Sequence, residues 1–416
     1  MLGTRFDRRG MLKAAGAVTA SAALPAGIAI AAQSARVPIP PPIGREERLQ
    51  RIAKARTLMK QNGIGALIVE PGASLDYLTG VQWWRSERLT AAVIPVQGDP
   101  IVVTPFFEKP SVEESLKIPA EVRVWQEDEE PLKVVAEFLK ERGVAGPPVG
   151  FEETNRYWIL DRLRQQLPDV KVVSANPVVR SQRMLKSPAE LALMQAAADI
   201  TIAAYRDIHP KIREGMTPSD INALYVAAIE ARGAATDGGL ILLGEASAYP
   251  HGSGKPQHVR KGEVVLLDCG CEVHGYQSDI SRTFIFGAPT AEQRKVWEQM
   301  RRGQDIAMAA AKVGAPAGSV DDAVRSAYEG WGYGPRYKLP GTSHRTGHGI
   351  GMEGHEPINL VHGEKTPLAP GMCFSNEPGI YLPCKFGIRL EDCFYMSASG
   401  PKWFTVPPPS IDNPFG

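Results

Sequence analysis

The stretch Val264–Phe286, VVLLDCGCEVHGYQSDISRTFIF, decides how the second half of the chain folds. An apolar run leads into Asp268, the chain turns around Gly275, and a second apolar run follows Asp279. Two runs rich in β-branched and aromatic residues around a short turn predict an antiparallel hairpin. This hairpin places one carboxylate on each of its strands.

The carboxylates of this hairpin, Asp268 and Asp279, need compensation by positive charge. Carboxylates at the ends of apolar strands are costly to bury when they are unpaired. No lysine or arginine is an obvious neighbour in the apolar run. A bound divalent cation is the simplest compensation, since such ions prefer oxygen ligands. The hairpin therefore predicts a metal site.

A second hairpin repeats this arrangement further along the chain. Glu377 follows the run Met372-Cys-Phe-Ser-Asn, the chain turns between residues 378 and 386, and Glu391 returns after Ile388-Arg-Leu. Glu377 and Glu391 thus occupy the positions that the two aspartates occupy in the first hairpin. Four carboxylates from two strand pairs are expected at one site.

A glycine-rich segment between the hairpins, GTSHRTGHGIGMEGHEP at 341–357, supplies a fifth candidate ligand, His348. We expect this segment to be a loop whose glycines allow close approach to the site, with His344 and His355 flanking. One imidazole and four carboxylates suit two ions such as Mn²⁺, Co²⁺ or Zn²⁺, and do not suit a thiolate zinc site. Each residue alone is more often structural, but the combination is specific.

Composition excludes several other classes of function. The 416 residues carry a formal net charge of +1, so no strong field attracts nucleic acid or an anionic membrane. The five cysteines lack the spacing of a disulfide framework. Strand alternation sends Cys269 and Cys271 to the face opposite Asp268, so we interpret both as small buried residues without a function.

The amino terminus differs from the globular remainder. Arg8-Arg9 precedes a weakly apolar stretch, and Ala29 and Ala31 offer a cleavage site, which predicts a twin-arginine export signal over 1–35. The stretch is less apolar than a membrane-spanning helix requires, so we expect periplasmic export without stable membrane insertion. The proline-rich segment 36–45 is predicted to be an extended linker that packs against no core.

The rest of the chain predicts two α/β domains. Alternating helix and strand patterns predict a small α/β domain over 46–178. Residues 186–416 form a second domain, which begins with an N-cap at Ser187 and a second helix start at Thr217. Helix pairs precede each hairpin, so the pattern of helices followed by a hairpin occurs twice. We expect an α/β (α+β) fold.

The two hairpins and the glycine-rich segment resemble the pita-bread metallopeptidases, which include prolidase, aminopeptidase P, methionine aminopeptidase and creatinase. The same resemblance is carried by the segments Asn376-Glu377-Pro-Gly-Ile-Tyr381 and Gly387-Ile-Arg-Leu-Glu391-Asp. The resemblance covers everything after the export signal. It implies a creatinase-type amino-terminal domain and a pita-bread catalytic domain with hairpins related by pseudo-twofold symmetry.

The resemblance also implies roles for individual residues. Asp268 would bind one metal ion, His348 and Glu377 the other, and Asp279 and Glu391 both. Glu377 would also carry a proton from the bridging water to the leaving nitrogen. His355 would stabilise the tetrahedral intermediate or the scissile carbonyl, and His251 would line the substrate pocket. The residues that would bind the substrate are His344, Arg389 and Tyr381.

Alternatives remain for the individual side chains. His251 could instead cap the turn Gly252-Ser-Gly. Arg389 could meet a substrate carboxylate or a neighbouring tyrosine, or form a structural pair with Asp392 or Asp279. Lys365 stands where some prolidases supply a second arginine, which leaves a restriction to dipeptides open.

All five ligand positions are present, which favours a dinuclear hydrolase over a binding protein on the same fold. The long amino-terminal region indicates the proline-specific branch, so we expect an Xaa-Pro dipeptidase similar to prolidase. The alternatives are an aminopeptidase P that cleaves longer peptides, and a non-peptide amidase. Trp83 and Trp84 could wall the pocket of a partner in a homodimer, or could serve a domain interface or the core.

Overall fold

The computed structural model describes residues 37–415. The export signal predicted over 1–35 lies outside these residues, so the twin-arginine interpretation stays a prediction. Within the described range, none of the helices combines the length and the apolar character needed to cross a membrane.

Residues 45–183 fold around one mixed sheet. The elements are α1 (Arg45–Gln61), β1 (Ala66–Val69), α2 (Ala73–Thr79), β2 (Ala91–Pro95), β3 (Ile101–Pro105), α3 (Lys109–Ser115), β4 (Glu121–Trp125), α4 (Pro131–Glu141), β5 (Val149–Phe151), α5 (Tyr157–Gln166), β6 (Val172–Ser174) and α6 (Val179–Arg183). The strand order of the sheet is β4-β3-β2-β1-β5-β6, with β1 antiparallel to β2 and parallel to β5. Alternation along β1 sends Leu67 and Val69 into one buried cluster and Ala66 and Ile68 into another, so both faces of the sheet are covered.

The proline-rich segment before α1 packs against the protein, so the prediction that it touches no core was wrong. Ile43 is 7% exposed and belongs to the largest apolar cluster, against which Val37 also packs. Ile39 lies beside Gly233. The apolar residues between the prolines supply these contacts, and an extended chain presents them without needing backbone hydrogen bonds.

Residues 188–403 contain the two predicted rounds of helices followed by strands. The first round consists of α7 (Pro188–Ile208), α8 (Pro218–Glu230), β7 (Gly239–Leu243), β8 (Val264–Cys269), β9 (Glu272–Val273), β10 (Tyr276–Gln277) and β11 (Ile280–Ile285). The second consists of α9 (Ala291–Ala310), α10 (Gly318–Gly330), β12 (Gly347–Gly349), β13 (Glu356–Leu360), β14 (Cys373–Asn376), β15 (Ile380–Leu382), β16 (Phe386–Ile388), β17 (Asp392–Ser397) and β18 (Gly400–Trp403).

Capping boxes begin the helices α7, α8 and α9. The side chains of Ser187, Thr217 and Thr290 accept a hydrogen bond from the backbone N–H three residues on, and the side chain at that later position accepts one from the backbone N–H of the first residue. The sequence predicted the first two of these starts correctly. The reciprocal bonds satisfy backbone N–H groups that a helix leaves unpaired at its start.

The two hairpins meet at one point in the backbone. The first sheet has the order β11-β8-β7 and the second β13-β12-β14-β17-β18. Ser281 of β11 and Glu391, just before β17, exchange backbone N–H···O bonds of 3.2 and 3.0 Å. This seam joins equivalent hairpins of the two rounds, and the resulting architecture is the expected pita-bread fold.

His348 lies on the short strand β12, whereas the sequence predicted a loop. A Cβ atom added to Gly347 would lie 2.0 Å from the carbonyl oxygen of Ser375 on β14, so a larger residue there would push the strands apart. The close approach at Gly347 is between two strands, and this strand pairing fixes His348 in the second sheet. The expected close approach of the glycines to the metal site stays a prediction.

Candidate metal centre and substrate pocket

The first hairpin brings its two aspartates to the same end, as predicted. Asp268 is paired with Ser281 across β8 and β11, and Asp279 directly precedes β11. The hairpin tip is closed by His274 and Gly275, both with positive φ angles of 49° and 87°. Such angles are typical of a two-residue turn that matches the twist of its strands.

The second hairpin brings its two glutamates to the same place. Asn376 pairs with Asp392, so Glu377 and Glu391 lie at adjacent ends of β14 and β17. Glu391 is 2% exposed, and its Oε1 atom has no hydrogen-bond partner among residues 37–415. A buried carboxylate oxygen without a partner is costly, and a cation ligand position accounts for it.

His348 faces the carboxylates through its Nε2 atom. This atom lies 3.3 Å from Glu377 Oε1 and 3.7 Å from Asp279 Oδ2. The other ring nitrogen, Nδ1, lies 3.1 Å from the carbonyl oxygen of Gly349 and donates to it. That bond leaves Nε2 as the nitrogen with a free lone pair, which is the form that binds metal.

Ligand atoms of these residues cluster in groups of three within 4.8 Å of one another. One group contains His348, Glu377 and Glu391, and another contains Asp268, Asp279 and Glu391. Glu391 belongs to both groups, as a residue that bridges two ions must. The donor set of oxygens and one imidazole nitrogen fits two divalent cations of the hard or borderline kind.

Electrostatics support the same conclusion. Burial, followed by repulsion from Asp268, raises the pKa of Asp279 to about 8. Burial and the charge of Asp279 likewise raise the pKa of Glu391 well above its usual range. Burial opposes ionisation of Glu377 too, but in the metal-free protein a hydrogen bond from the protonated form of His348 lowers the pKa of Glu377 to about 2. The cluster holds more negative charge than its own residues neutralise.

Ser281 is a site residue that the sequence reasoning missed. Its Oγ atom lies 2.8 Å from Asp268 Oδ1 and 2.8 Å from Glu391 Oε2, so it connects ligands of both hairpins. Alternation along the strand could have found it, because Ser281 lies two residues after Asp279. Its contact with Glu391 could not be predicted, because the two residues are 110 positions apart.

Arg389 pairs with Asp268, contrary to the interpretation that no positive side chain adjoins the first hairpin. The distance between Arg389 Nη2 and Asp268 Oδ2 is 2.5 Å. Arg389 forms a salt bridge with neither Asp392 nor Asp279. Asp392 is instead bound by Arg282 at 2.6 Å. One guanidinium still leaves the other carboxylates of the cluster without compensation.

Tyr381 connects Arg389 with His344. The Tyr381 hydroxyl accepts a hydrogen bond of 2.9 Å from Arg389 Nη1 and lies 2.7 Å from His344 Nε2. The expected neighbouring tyrosine of Arg389 is thus present. Tyr381 is fully buried, and burial raises its pKa to about 12. His344 lines the pocket itself.

The pocket over the metal ligands has a volume of about 610 Å³. His251 and His355 line it, as predicted. The His355 and His348 rings are 4.0 Å apart edge to face, and burial together with the charge of His348 lowers the pKa of His355 to about 4. His355 is therefore neutral at pH 7. His251 makes no hydrogen bond to the Gly252 turn within the part of the chain that is described.

Other candidate residues lie away from the pocket. Lys365 is exposed and is not part of the lining. Trp83 and Trp84 stack with ring centroids 5.2 Å apart and do not line the pocket of their own chain. Trp84 is 69% exposed, while Trp83 packs against the core. Cys269 and Cys271 are buried, as predicted; unlike the residues above, Cys269 is part of the pocket lining, whereas Cys271 is not.

Comparison with known proteins places this geometry in a family. Residues 192–398 match the model of metallopeptidase family M24, and residues 51–185 match the creatinase/prolidase N-terminal domain. The probable dipeptidase PepE of Mycobacterium tuberculosis H37Rv is 33% identical over 362 residues, which cover 84% of this chain and 92% of that protein. The Xaa-Pro dipeptidase of Pyrococcus horikoshii is 27% identical, with 86% and 97% covered.

Solved structures agree with the sequence matches. The crystal structure of dipeptidase PepE from Mycobacterium ulcerans superimposes with a TM-score of 0.80 at 30% identity, covering 88% of this chain and 98% of the other. The likeness therefore includes both the amino-terminal sheet and the two hairpins that hold the metal ligands. The chain belongs to metallopeptidase family M24, with a creatinase/prolidase N-terminal domain.

Proposed function

We propose that this enzyme is an Xaa-Pro dipeptidase that uses two Mn²⁺ ions, with Co²⁺ or Zn²⁺ as possible substitutes. The observation that carries the proposal is the pair of three-residue ligand groups that share Glu391 beneath a 610 Å³ pocket. The relatives named as dipeptidases and Xaa-Pro dipeptidases support the substrate class.

Five residues would hold the ions. Asp268 would help to hold one ion, His348 and Glu377 would help to hold the other, and Asp279 and Glu391 would help to hold both. Bound ions of this kind polarise a carbonyl oxygen and supply a hydroxide at neutral pH. Arg389 and Ser281 hold the carboxylate of Asp268 in place by hydrogen bonds of 2.5 and 2.8 Å.

Glu377 is the proposed general acid and base. Its carboxylate lines the pocket and lies beside His348, so one face remains open to a substrate. Hydrolysis of a peptide bond before proline requires protonation of a leaving nitrogen that carries no hydrogen of its own. A carboxylate within reach of both water and this nitrogen can move the proton between them.

His355, His251 and His344 complete the proposed pocket. A neutral His355 can donate an N–H hydrogen bond to the carbonyl oxygen as negative charge develops on it. His251 lines the same pocket, and His344 is held by the Tyr381 hydroxyl at 2.7 Å. Together these rings orient the substrate and limit the access of water.

A substrate panel tests the proposed function. Purified protein is stripped with chelator, reloaded with Mn²⁺, Co²⁺ or Zn²⁺, and assayed on Xaa-Pro dipeptides, longer Xaa-Pro peptides and dipeptides without proline. We expect metal-dependent cleavage of Xaa-Pro dipeptides. Cleavage of longer chains would identify an aminopeptidase P. Inactivity with metal bound would favour a non-peptide amidase or a binding role, and turnover without metal would reject the proposed mechanism.

We further propose that the protein is exported and acts as a homodimer. The twin arginine at residues 8 and 9 and the alanines at 29 and 31 support export, and the exposed Trp84 supports an interface. A mature protein that starts beyond Ala31 in a periplasmic fraction is the expected result, and a full-length cytoplasmic product would contradict it. Light scattering after size exclusion measures the oligomeric state.

A further inference from the structure

The cationic side chains of the pocket indicate how a substrate carboxylate would be recognised. Among residues 37–415, the lysine and arginine residues that line the pocket are Arg345 and Arg389. A dipeptide carries a free carboxylate close to the scissile bond, and four carboxylates already line this pocket. A substrate carboxylate loses water when it enters the pocket, which costs free energy unless a cation pairs with it.

Arg389 is already fully engaged within the protein. Its Nη2 binds Asp268, its Nη1 donates to Tyr381 and to the carbonyl oxygen of Pro250, and its Nε lies 3.2 Å from Ser281 Oγ. The residue is 3% exposed. A substrate could reach this guanidinium only by displacing a partner of a buried ion pair, which is costly.

Arg345, unlike Arg389, has a guanidinium that is not engaged by other described residues. Its guanidinium has no hydrogen bond or ion pair with any residue that the structure describes, and the residue is partly exposed at the pocket. Its backbone is fixed, because His344 Nδ1 lies 2.8 Å from its carbonyl oxygen. Arg345, His355 and the proposed metal ligands line the same pocket.

These observations leave one available guanidinium beside the proposed reacting groups. Arg345 stands three residues before His348, on the segment that enters β12, so its backbone has a fixed relation to the metal centre. A planar guanidinium binds a carboxylate through two parallel hydrogen bonds, which an ammonium group cannot imitate. Lys365, the sequence-based candidate for this task, lies outside the pocket.

We propose that Arg345 binds the free C-terminal carboxylate of a dipeptide substrate and thereby selects dipeptides over longer peptides. This inference rests on the proposed peptidase activity and does not depend on the preference for proline. A longer peptide places an uncharged amide where the dipeptide has its carboxylate, so it loses the paired hydrogen bonds.

The test uses substrates in matched pairs. Each pair consists of a dipeptide and the same dipeptide with a C-terminal amide, for several Xaa-Pro sequences and several without proline. Metal-loaded wild-type enzyme should favour the acid over the amide in kcat/KM by about 10- to 100-fold, as expected for a hydrogen bond to a charged group. Arg345→Ala should reduce this ratio to near one, mainly through a higher KM for the acid.

Two further variants control the experiment. Arg345→Lys keeps the charge and loses the paired geometry, so an intermediate ratio is expected. Lys365→Ala should keep the wild-type ratio, because this exposed side chain lies away from the pocket. Thermal unfolding and metal content of Arg345→Ala should match wild type, since the guanidinium has no partner in the described residues.

The possible outcomes separate the two proposals. Acid selectivity on dipeptides without proline, lost in Arg345→Ala, would support this inference and reject the Xaa-Pro preference. Equal cleavage of acid and amide by wild type, or an unchanged ratio in Arg345→Ala, would overturn the role of Arg345 even when Xaa-Pro peptides are cleaved. No cleavage of any pair would reject both.

Discussion

Two clusters of buried charge lie close to His355, and they differ in how their carboxylates are neutralised. Glu356 accepts hydrogen bonds from Lys186 Nζ at 2.8 Å, Arg183 Nη2 at 2.6 Å and the backbone N–H of Met352 at 2.9 Å. Burial opposes its ionisation, but the two cations lower its pKa to about 2. Two cationic side chains thus neutralise the buried Glu356, and Arg183 Nη2 also binds the exposed Glu353 at 2.8 Å.

The metal centre contains carboxylates of the same kind with fewer cations. Burial and repulsion raise the pKa values of Asp279 and Glu391, and Glu391 Oε1 has no hydrogen-bond partner in the described residues. The comparison teaches that depth of burial alone does not reveal a metal site. The deficit of positive charge around buried carboxylates does reveal it, and the Glu356 cluster has no such deficit.

The largest expected effect is a loss of activity when a carboxylate of the metal centre is replaced. Glu377→Gln keeps the shape of the side chain and removes the base, so kcat should fall by about 10²- to 10⁴-fold. Steady-state kinetics at saturating Mn²⁺ measure the loss. The folded protein should persist, which thermal unfolding checks. Activity close to wild type would reject the proposed role of Glu377.

The next effect concerns stability in the cluster around Glu356. Lys186→Met leaves a buried carboxylate with one cation fewer, so the free energy of unfolding should fall by about 3–5 kcal/mol. Urea unfolding provides the measurement. The double variant Lys186→Met with Glu356→Gln should recover part of the loss, because no unpaired charge then remains. A stability unchanged by Lys186→Met would show that Arg183 alone neutralises Glu356.

Removing a carboxylate from the metal centre should raise the stability of the metal-free protein, whereas removing a cation beside Glu356 lowers it. Glu391→Gln removes a group whose charge is opposed by burial and by its neighbours, so the chelator-treated protein should gain about 1 kcal/mol of stability. The same variant should lose most of the stabilisation that added Mn²⁺ gives wild type. Destabilisation of the chelator-treated protein by Glu391→Gln would contradict the charge deficit. Glu356→Gln, which should destabilise, is the matched control.

The last comparison concerns the dependence of stability on pH. The pKa of Asp279 is raised to about 8 in the folded protein, so the folded state binds more protons than the unfolded state between about pH 4 and 8. The chelator-treated protein should therefore become less stable as pH rises through this window. Melting temperatures of wild type and Asp279→Asn at several pH values measure the slope, which the variant should lack.

Glu356 should make the protein more stable as pH rises, in a lower pH range than the one in which Asp279 titrates. Its folded pKa of about 2 lies below that of an ordinary glutamate, so its contribution to stability is complete above about pH 4.5 and is lost as pH falls towards 2. The same melting series, extended to acid and repeated with Glu356→Gln, measures this contribution. Identical acid sensitivity in the variant would contradict the pairing.

Sequence alone predicted the parts of the site that depend on local pattern. The ligands follow or precede apolar strands, so alternation and turn residues were sufficient to bring Asp268 and Asp279 together, and likewise Glu377 and Glu391. The helix starts were predictable for the same reason, because a capping box spans only four residues.

Sequence did not predict the contacts between distant segments. Arg389 and Asp268 are 121 positions apart, and Lys186 and Glu356 are 170 apart. Such pairs depend on which strands become neighbours and in which register, and local periodicity does not contain this information. The packing of Ile43 was missed for the same reason, since its partners lie in other elements.

The seam between Ser281 and Glu391 has a consequence for cohesion of the catalytic half. Each half of the catalytic fold contributes about half of the ligands, and the halves meet in the backbone at the pair that also carries Glu391. Two shared cations would then act as a removable cross-link between the halves. Loss of metal should lower the protection of backbone amides from hydrogen exchange on both sides of the seam at the same time, even though no covalent bond changes.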